Sequence, residues 1–163
     1  MIRPATPADA AAIAAIYAPQ VLAGTASFET IAPDATEMAA RLARVHGSGW
    51  PWLVWDADGD VRGYAYASQF RDRAAYRATC ENSIYVAADA ARQGIGKALL
   101  HALCDAARAA GFREMIAVIG DGSGNHASVG LHRACGFAEA GKLTNVGQKF
   151  GRWLDVVYMQ RSL

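Results

Sequence analysis

The stretch that most limits how this chain can fold is Ala91-Arg92-Gln93-Gly94-Ile95-Gly96-Lys97. It stands between a strand-like run, Ser83 to Ala87, and a long helical pattern, roughly Gly94 to Ala110. Two glycines one residue apart let a turn present its N–H groups with no Cβ in front of them. The helix start adds unpaired amides and the positive end of its dipole, so the junction suits a phosphate. A plain strand-to-helix turn uses glycines in the same way, and the turn alone does not choose between the two. A dinucleotide fingerprint fits poorly, because it needs a small residue where this chain has Leu99.

Around this junction the pattern is mixed α/β. Ile2 to Pro4 reads as a strand, and Thr6-Pro7 starts a helix that Pro19 should end. Residues 20–32 form a loop carrying Phe28 and Glu29. Pro33-Asp34 opens a second helix, which Gly47-Ser48-Gly49 stops. Trp52 to Trp55 and Val61 to Ser68 flank a turn at 56–60 and read as a hairpin. Residues 71–77 form a polar loop. Met115 to Ile119 is rich in β-branched residues, Asn125 to Cys135 is helical and Gly136 ends it. The stretch from Phe137 onward pairs with a last strand, Trp153 to Met159. Hairpin first and strand–helix–strand–helix–strand second argue for one sheet with parallel and antiparallel pairs.

With 163 residues, 53% apolar and 19% charged, the chain suits one soluble domain spanning 1–163. A net charge of +1 excludes an overall field for nucleic acid or anionic membrane, so any anion site is local. No apolar run approaches the roughly 18 residues of a membrane span. The start, Met1-Ile2-Arg3-Pro4, lacks a signal-peptide pattern, and a cytoplasmic location is expected. Cys80, Cys104 and Cys135 have no metal-site spacing and read as buried thiols, so no metal is expected.

Three ordered pieces together resemble the GNAT superfamily of acetyl-CoA-dependent N-acetyltransferases: Arg92-Gln93-Gly94-Ile95-Gly96 after its strand, Asn125-His126-Ala127-Ser128 leading to Leu131-His132-Arg133-Ala134-Cys135-Gly136-Phe137, and the spacing between them. Phe70-Arg71-Asp72-Arg73, Glu81-Asn82-Ser83-Ile84-Tyr85-Val86 and Lys149 to Val156 are similar to the phosphinothricin and methionine-sulfoximine acetyltransferase branch. One departure is Ala91, where relatives usually carry Arg or Gln.

The resemblance implies a mostly antiparallel sheet whose central parallel strand pair splays at a bulge, with flanking helices. It implies acetyl-CoA as co-substrate, its pyrophosphate at Arg92, Gln93, Gly94, Ile95, Gly96 and Lys97, and its arm along Tyr85, Val86, Ala87 and Asn125. The N–H near Val86 would face the thioester oxygen. Glu81 would be the base that takes a proton from the amine, because an amine of pKa about 8 is mostly protonated at neutral pH. His132 stands where many relatives carry a tyrosine acid; it protonates the departing thiolate, contacts the cofactor or simply packs. Asn125 could equally do no more than start its helix.

Arg71 and Arg73, two apart in an extended loop, can face one way and grip an acidic group on the substrate. Phe28, Glu29 and Tyr76 are candidates for the rest of the amine pocket, or for loop packing. Lys149 and Asp155 read as structural or as part of a dimer seam. The implied activity is acetyl transfer to the amine of a small amino-acid-like substrate, by a homodimer joined near Trp153, Val156 and Val157. Two alternatives stand beside it: a silent acyl-CoA-binding sensor, and an acetyltransferase of protein N-termini or lysines.

Overall fold

The computed structural model describes residues 1–163. Strand β1 (Ile2–Pro4) leads through a 3₁₀ turn at Pro7–Asp9 into helix α1 (Ala10–Leu22). Thr6 caps this start: its amide donates to Asp9 Oδ2 at 2.7 Å, and Arg3 grips the same carboxylate through two nitrogens at 2.8 Å. Helix α1 does not end at Pro19 but runs on to Leu22. Pro19 is exposed, so the carbonyl it leaves without an N–H partner can turn to water, and buried Val21 holds the last turn to the core. Helix α2 (Ala35–Gly47) is capped by Asp34, whose side chain accepts the Glu37 amide.

Strands β2 (Trp52–Ala57) and β3 (Asp60–Gln69) form the expected hairpin. Asp58 and Gly59 both have positive φ, as its two-residue turn requires. Then come β4 (Thr79–Val86), α3 (Ile95–Ala109), β5 (Glu114–Gly120), α4 (His126–Ala134), β6 (Ala138–Lys149) and β7 (Arg152–Ser162). Strand β4 begins four residues before the expected Ser83. Its polar start hides the pattern, because Cys80 and Asn82 are buried on one face while Glu81 points to the other.

The seven strands form one sheet in the order β1-β2-β3-β4-β5-β7-β6, antiparallel except for β4 with β5. Helices α3 and α4 cover one face over Leu99, Leu103, Met115 and Met159; α1 and α2 cover the other over Ile13, Leu42, Trp52 and Tyr64. Strands β4 and β5 pair only from Thr79–Glu114 to Asn82–Ala117 and then separate. The splay needs no bulge in β4, contrary to expectation. Strand β4 keeps an unbroken register with β3 to Val86, and β5 keeps one with β7 to Gly120. Each strand stays with its long antiparallel ladder, and the short parallel ladder between them yields. Val156 and Val157, expected at a dimer seam, are core residues, whereas Trp153 is exposed.

Candidate active site

The gap between β4 and β5 opens into a cleft of about 670 Å³. Because side chains alternate along β4, the cleft has two sides. Glu81 and Tyr85 lie on the α1–α2 face with Tyr66 and Tyr17; Asn82 lies on the α3–α4 face with His132.

The Ala87 amide donates to Arg62 O and its carbonyl accepts from Ala90, so both of its backbone groups are used within the chain. By the alternation of an antiparallel ladder, the amides of Ile84 and Val86 therefore point away from β3, toward the gap. Tyr85 joins the cleft through its ring, which lies 4.8 Å from that of Tyr17 and 5.3 Å from that of Tyr64.

Beyond Val86 the chain makes a 3₁₀ turn at Ala88–Ala90 and enters α3 at Gly94, whose φ is +83°. Arg92 also takes a left-handed conformation, with φ of +63°, which is uncommon for a residue with a Cβ. No atom stands within 4 Å of a Cβ placed on Gly94, so the turn is open outward. Ala98 makes the first helical bond, to Gly94 O, leaving the amides of Ile95, Gly96 and Lys97 without helical partners. Arg92, Gln93 and Lys97 are exposed; the Ile95 side chain is buried in the core, so only its backbone is available. Gly96 serves packing as well. A Cβ there would sit 3.3 Å from Leu131 of α4.

Glu81 is half-buried in the cleft. Burial raises its pKa above the ordinary carboxylate value, and the charge of Arg71 partly opposes that. His132 is 2% exposed. Its Nδ1 lies 2.8 Å from Ser128 O and its Nε2 3.0 Å from Asn82 Oδ1, while Asn82 Nδ2 donates to Ile116 O at 3.2 Å. Both partners of the ring are acceptors, and an imidazolium can donate to both where a neutral imidazole donates to one. Burial holds the His132 pKa below the ordinary imidazole value, and the hydrogen bond to the Ser128 carbonyl only partly opposes that. Asn125 borders the cleft and caps α4, accepting the Ser128 amide at 3.2 Å.

Phe28 and Glu29 also border the cleft. Glu29 is an anchored group: Arg41 holds its two oxygens at 2.7 and 3.0 Å, and the Tyr17 hydroxyl donates to it at 2.9 Å. The Arg41 hydrogen bonds hold its carboxyl below the usual range. The arginine loop differs from its expected extended form. The Arg73 amide donates to Arg71 O at 2.8 Å, and the Gln69 side chain donates to the carbonyls of both, curling the segment. Arg71 stacks 5.0 Å from the Phe70 ring, and Tyr76 packs edge-on to the same ring. Arg71, Arg73 and Tyr76 are exposed and do not line the cleft.

Several site residues carried no sequence signal of their own. Tyr17 and Tyr66, which line the cleft, and Arg41, which holds Glu29, are singled out by no motif. Asn82 is signalled only by its place beside Glu81. No group of three or more His, Cys, Asp or Glu side chains is placed to hold a metal ion. No helix is long and apolar enough to cross a membrane.

Comparison with known proteins gives this geometry a context. The family described as "Acetyltransferase (GNAT) domain" matches residues 2–158. The chain is 55% identical over 155 residues to a phosphinothricin N-acetyltransferase of Alcaligenes faecalis, covering 95% of this chain and 78% of that one. It is 44% identical over 163 residues to an L-methionine sulfoximine/L-methionine sulfone acetyltransferase of Pseudomonas aeruginosa, covering 99% and 94%. Among solved structures, a GNAT phosphinothricin acetyltransferase of Sinorhizobium meliloti in complex with AcCoA superposes with a TM-score of 0.95. It is 48% identical, with 100% of this chain and 88% of that one covered.

Proposed function

The chain belongs to the GNAT acetyltransferase family, and from that premise we propose that it transfers acetyl from acetyl-CoA to the amino group of a small amino-acid-like substrate. The amine is of the phosphinothricin, methionine sulfoximine or methionine sulfone type, and the whole chain, 1–163, acts as one N-acetyltransferase domain in the cytoplasm. The observation that carries this reading is the cleft through the sheet. It joins a carboxylate on one face to an imidazole on the other, at the end of a strand that leads into an open phosphate-type turn.

The amides of Gly94 to Lys97 fit a pyrophosphate, since they are unpaired and the open side of Gly94 admits close approach. Acetyl-CoA supplies an activated acyl carbon and a thiolate leaving group. The Val86 amide is available to donate toward the acyl oxygen as negative charge grows on it. On the α1–α2 face, Glu81 takes a proton from the amine, and burial raises its basicity toward that task. On the opposite face, His132 lines the cleft and gives a proton to the thiolate when its ring is charged, a form that its two acceptors favour and burial opposes. Arg71, whose charge reaches Glu81, meets the acidic group of the substrate, with Arg73 on the same loop.

The exposed apolar side chains Leu143, Val146, Phe150 and Trp153 gather on β6, β7 and their turn, at the open edge of the sheet. They support a twofold homodimer at this edge. The function is tested by thiol release from acetyl-CoA with phosphinothricin, methionine sulfoximine, methionine sulfone, ordinary amino acids and a short peptide. Release with the first three ahead of the rest is the expected result. Release only with the peptide, or with none, overturns the reading in favour of a protein acetyltransferase or a silent sensor.

A further inference from the structure

Lys149, the last residue of β6, is 6% exposed, and its ammonium faces no carboxylate in direct contact. It donates instead to three backbone carbonyls: Gly24 O and Ser27 O at 2.8 Å, and Gln20 O at 3.4 Å. An ammonium has three N–H donors, so this cage uses all of them. The three acceptors come from the end of α1 and the segment that follows it, more than 120 residues away in sequence. That segment, residues 23–34, has no helix or strand of its own, and it carries Phe28 and Glu29 into the cleft.

A second feature of the same strand face acts on the same segment. Gly147, two residues before Lys149, receives the Phe28 ring; a Cβ there would come within 2.2 Å of Phe28 Cε2. Gly120 of β5 takes the other side of the slot, where a Cβ would meet Ala26 O at 2.5 Å and the Phe28 ring at 3.1 Å. Thr25 adds a hydrogen bond to Asp121 Oδ2 at 2.5 Å. Beyond Lys149, Phe150 and Gly151 with positive φ reverse the chain into β7, so the lysine stem rises from a closed hairpin end.

We propose that Lys149 is a positioning residue for amine binding: its ammonium gathers the carbonyls of Gln20, Gly24 and Ser27 and so holds Phe28 and Glu29 as a preformed wall of the cleft. Charge-assisted hydrogen bonds are roughly twice as strong as neutral ones, and this cage fixes the backbone up to Ser27 while Arg41 and Tyr17 hold the Glu29 side chain beyond it. A wall formed only part of the time weakens apparent affinity by the fraction formed. If loss of the clasp leaves it formed about a tenth of the time, the amine KM rises about tenfold. The kinetic part of this inference rests on the acetyltransferase reading; the structural part does not.

The test compares the wild type with Lys149→Met, which keeps the stem and removes the donors, and Lys149→Gln, which keeps a smaller set of donors should the first variant fail to fold. Hydrogen exchange is read across the chain, with KM for amine and for acetyl-CoA measured alongside. Expected are at least tenfold faster exchange confined to about residues 23–29, about tenfold higher amine KM, and acetyl-CoA KM and kcat within about twofold of wild type. Gly147→Ala, which pushes Phe28 out of its slot, should raise amine KM similarly, and the double variant should be less than additive. Unchanged exchange at 23–29, exchange raised throughout the sheet, or an unchanged amine KM in an active enzyme overturns the proposal. A wild type that acetylates none of the amines refutes the substrate reading instead, and the exchange comparison still decides the clasp.

Discussion

Replacing Glu81 with Gln removes the proposed base while keeping its shape, and the structure fixes what should follow. Arg71 is the one charge that acts on the Glu81 carboxyl, and it lies on an exposed loop. General-base catalysis is worth about 10²–10⁴ in rate, or about 2.7–5.4 kcal/mol of barrier at 1.36 kcal/mol per decade, so kcat should fall by that factor at pH 7. The loss should shrink with alkali. An amine of pKa about 8 is roughly one-tenth neutral at pH 7 and nine-tenths at pH 9, so the variant should recover about tenfold across that interval.

Stability should move the other way. A carboxyl whose folded pKa is raised contributes stability below its unfolded pKa of about 4.3, and loses it as pH climbs through the folded value. At pH 7.5 the wild type thus bears the cost of a partly buried carboxylate, and Glu81→Gln should melt at the same temperature or higher. The assays are steady-state kinetics from pH 6.5 to 9.5, calorimetry with acetyl-CoA, and thermal melts. A kcat within about threefold of wild type at pH 7 refutes the assignment, as does a loss accompanied by lower Tm and weaker acetyl-CoA binding.

Gly96→Asp puts a negative charge among the first-turn amides of α3 and crowds Leu131; calorimetry should show acetyl-CoA binding weakened at least tenfold, while Gly96→Ala, which crowds without charge, binds within about threefold of wild type. Arg71→Ala should raise KM about tenfold or more for amines bearing an acidic group and little for their neutral amides; equal loss on both would make the arginine structural. Sedimentation of the wild type at micromolar concentration should give a dimer, and Trp153→Glu, which charges the exposed apolar edge, should shift it to monomer; a wild-type monomer with full activity rules out the proposed assembly.

What could be read in the sequence was whatever a local pattern encodes. The glycine junction, the hairpin turn within 56–60 and the helical pattern from Gly94 to Ala110 each carry their signal locally, and the structure has each of them. The start of β4 was missed because Thr79-Cys80-Glu81-Asn82 lacks an apolar alternation; these residues are strand because β3 and β5 flank them on both sides. The missing N–H of Pro19 predicts a stop, yet the helix runs through it at an exposed turn, where the unpaired carbonyl is open to solvent. The arginine spacing misled for a similar reason, since Gln69 curls a segment that spacing alone would leave extended. The Lys149 cage lay beyond any local pattern. Its meaning resides in carbonyls that every residue possesses, brought to it across the fold.

The short seam between β4 and β5 has a mechanical consequence. Only four residue pairs hold the β1–β4 part of the sheet to the β5–β7 part, and past Asn82 and Ala117 the rungs are missing. A molecule lying in that opening acts as mortar between two slabs, bridging polar backbone edges that protein alone leaves apart. Occupancy and cohesion then become one quantity. A ligand present at a hundred times its Kd adds about 2.7 kcal/mol to the folded state, and here that increment falls at the one parallel joint of the sheet.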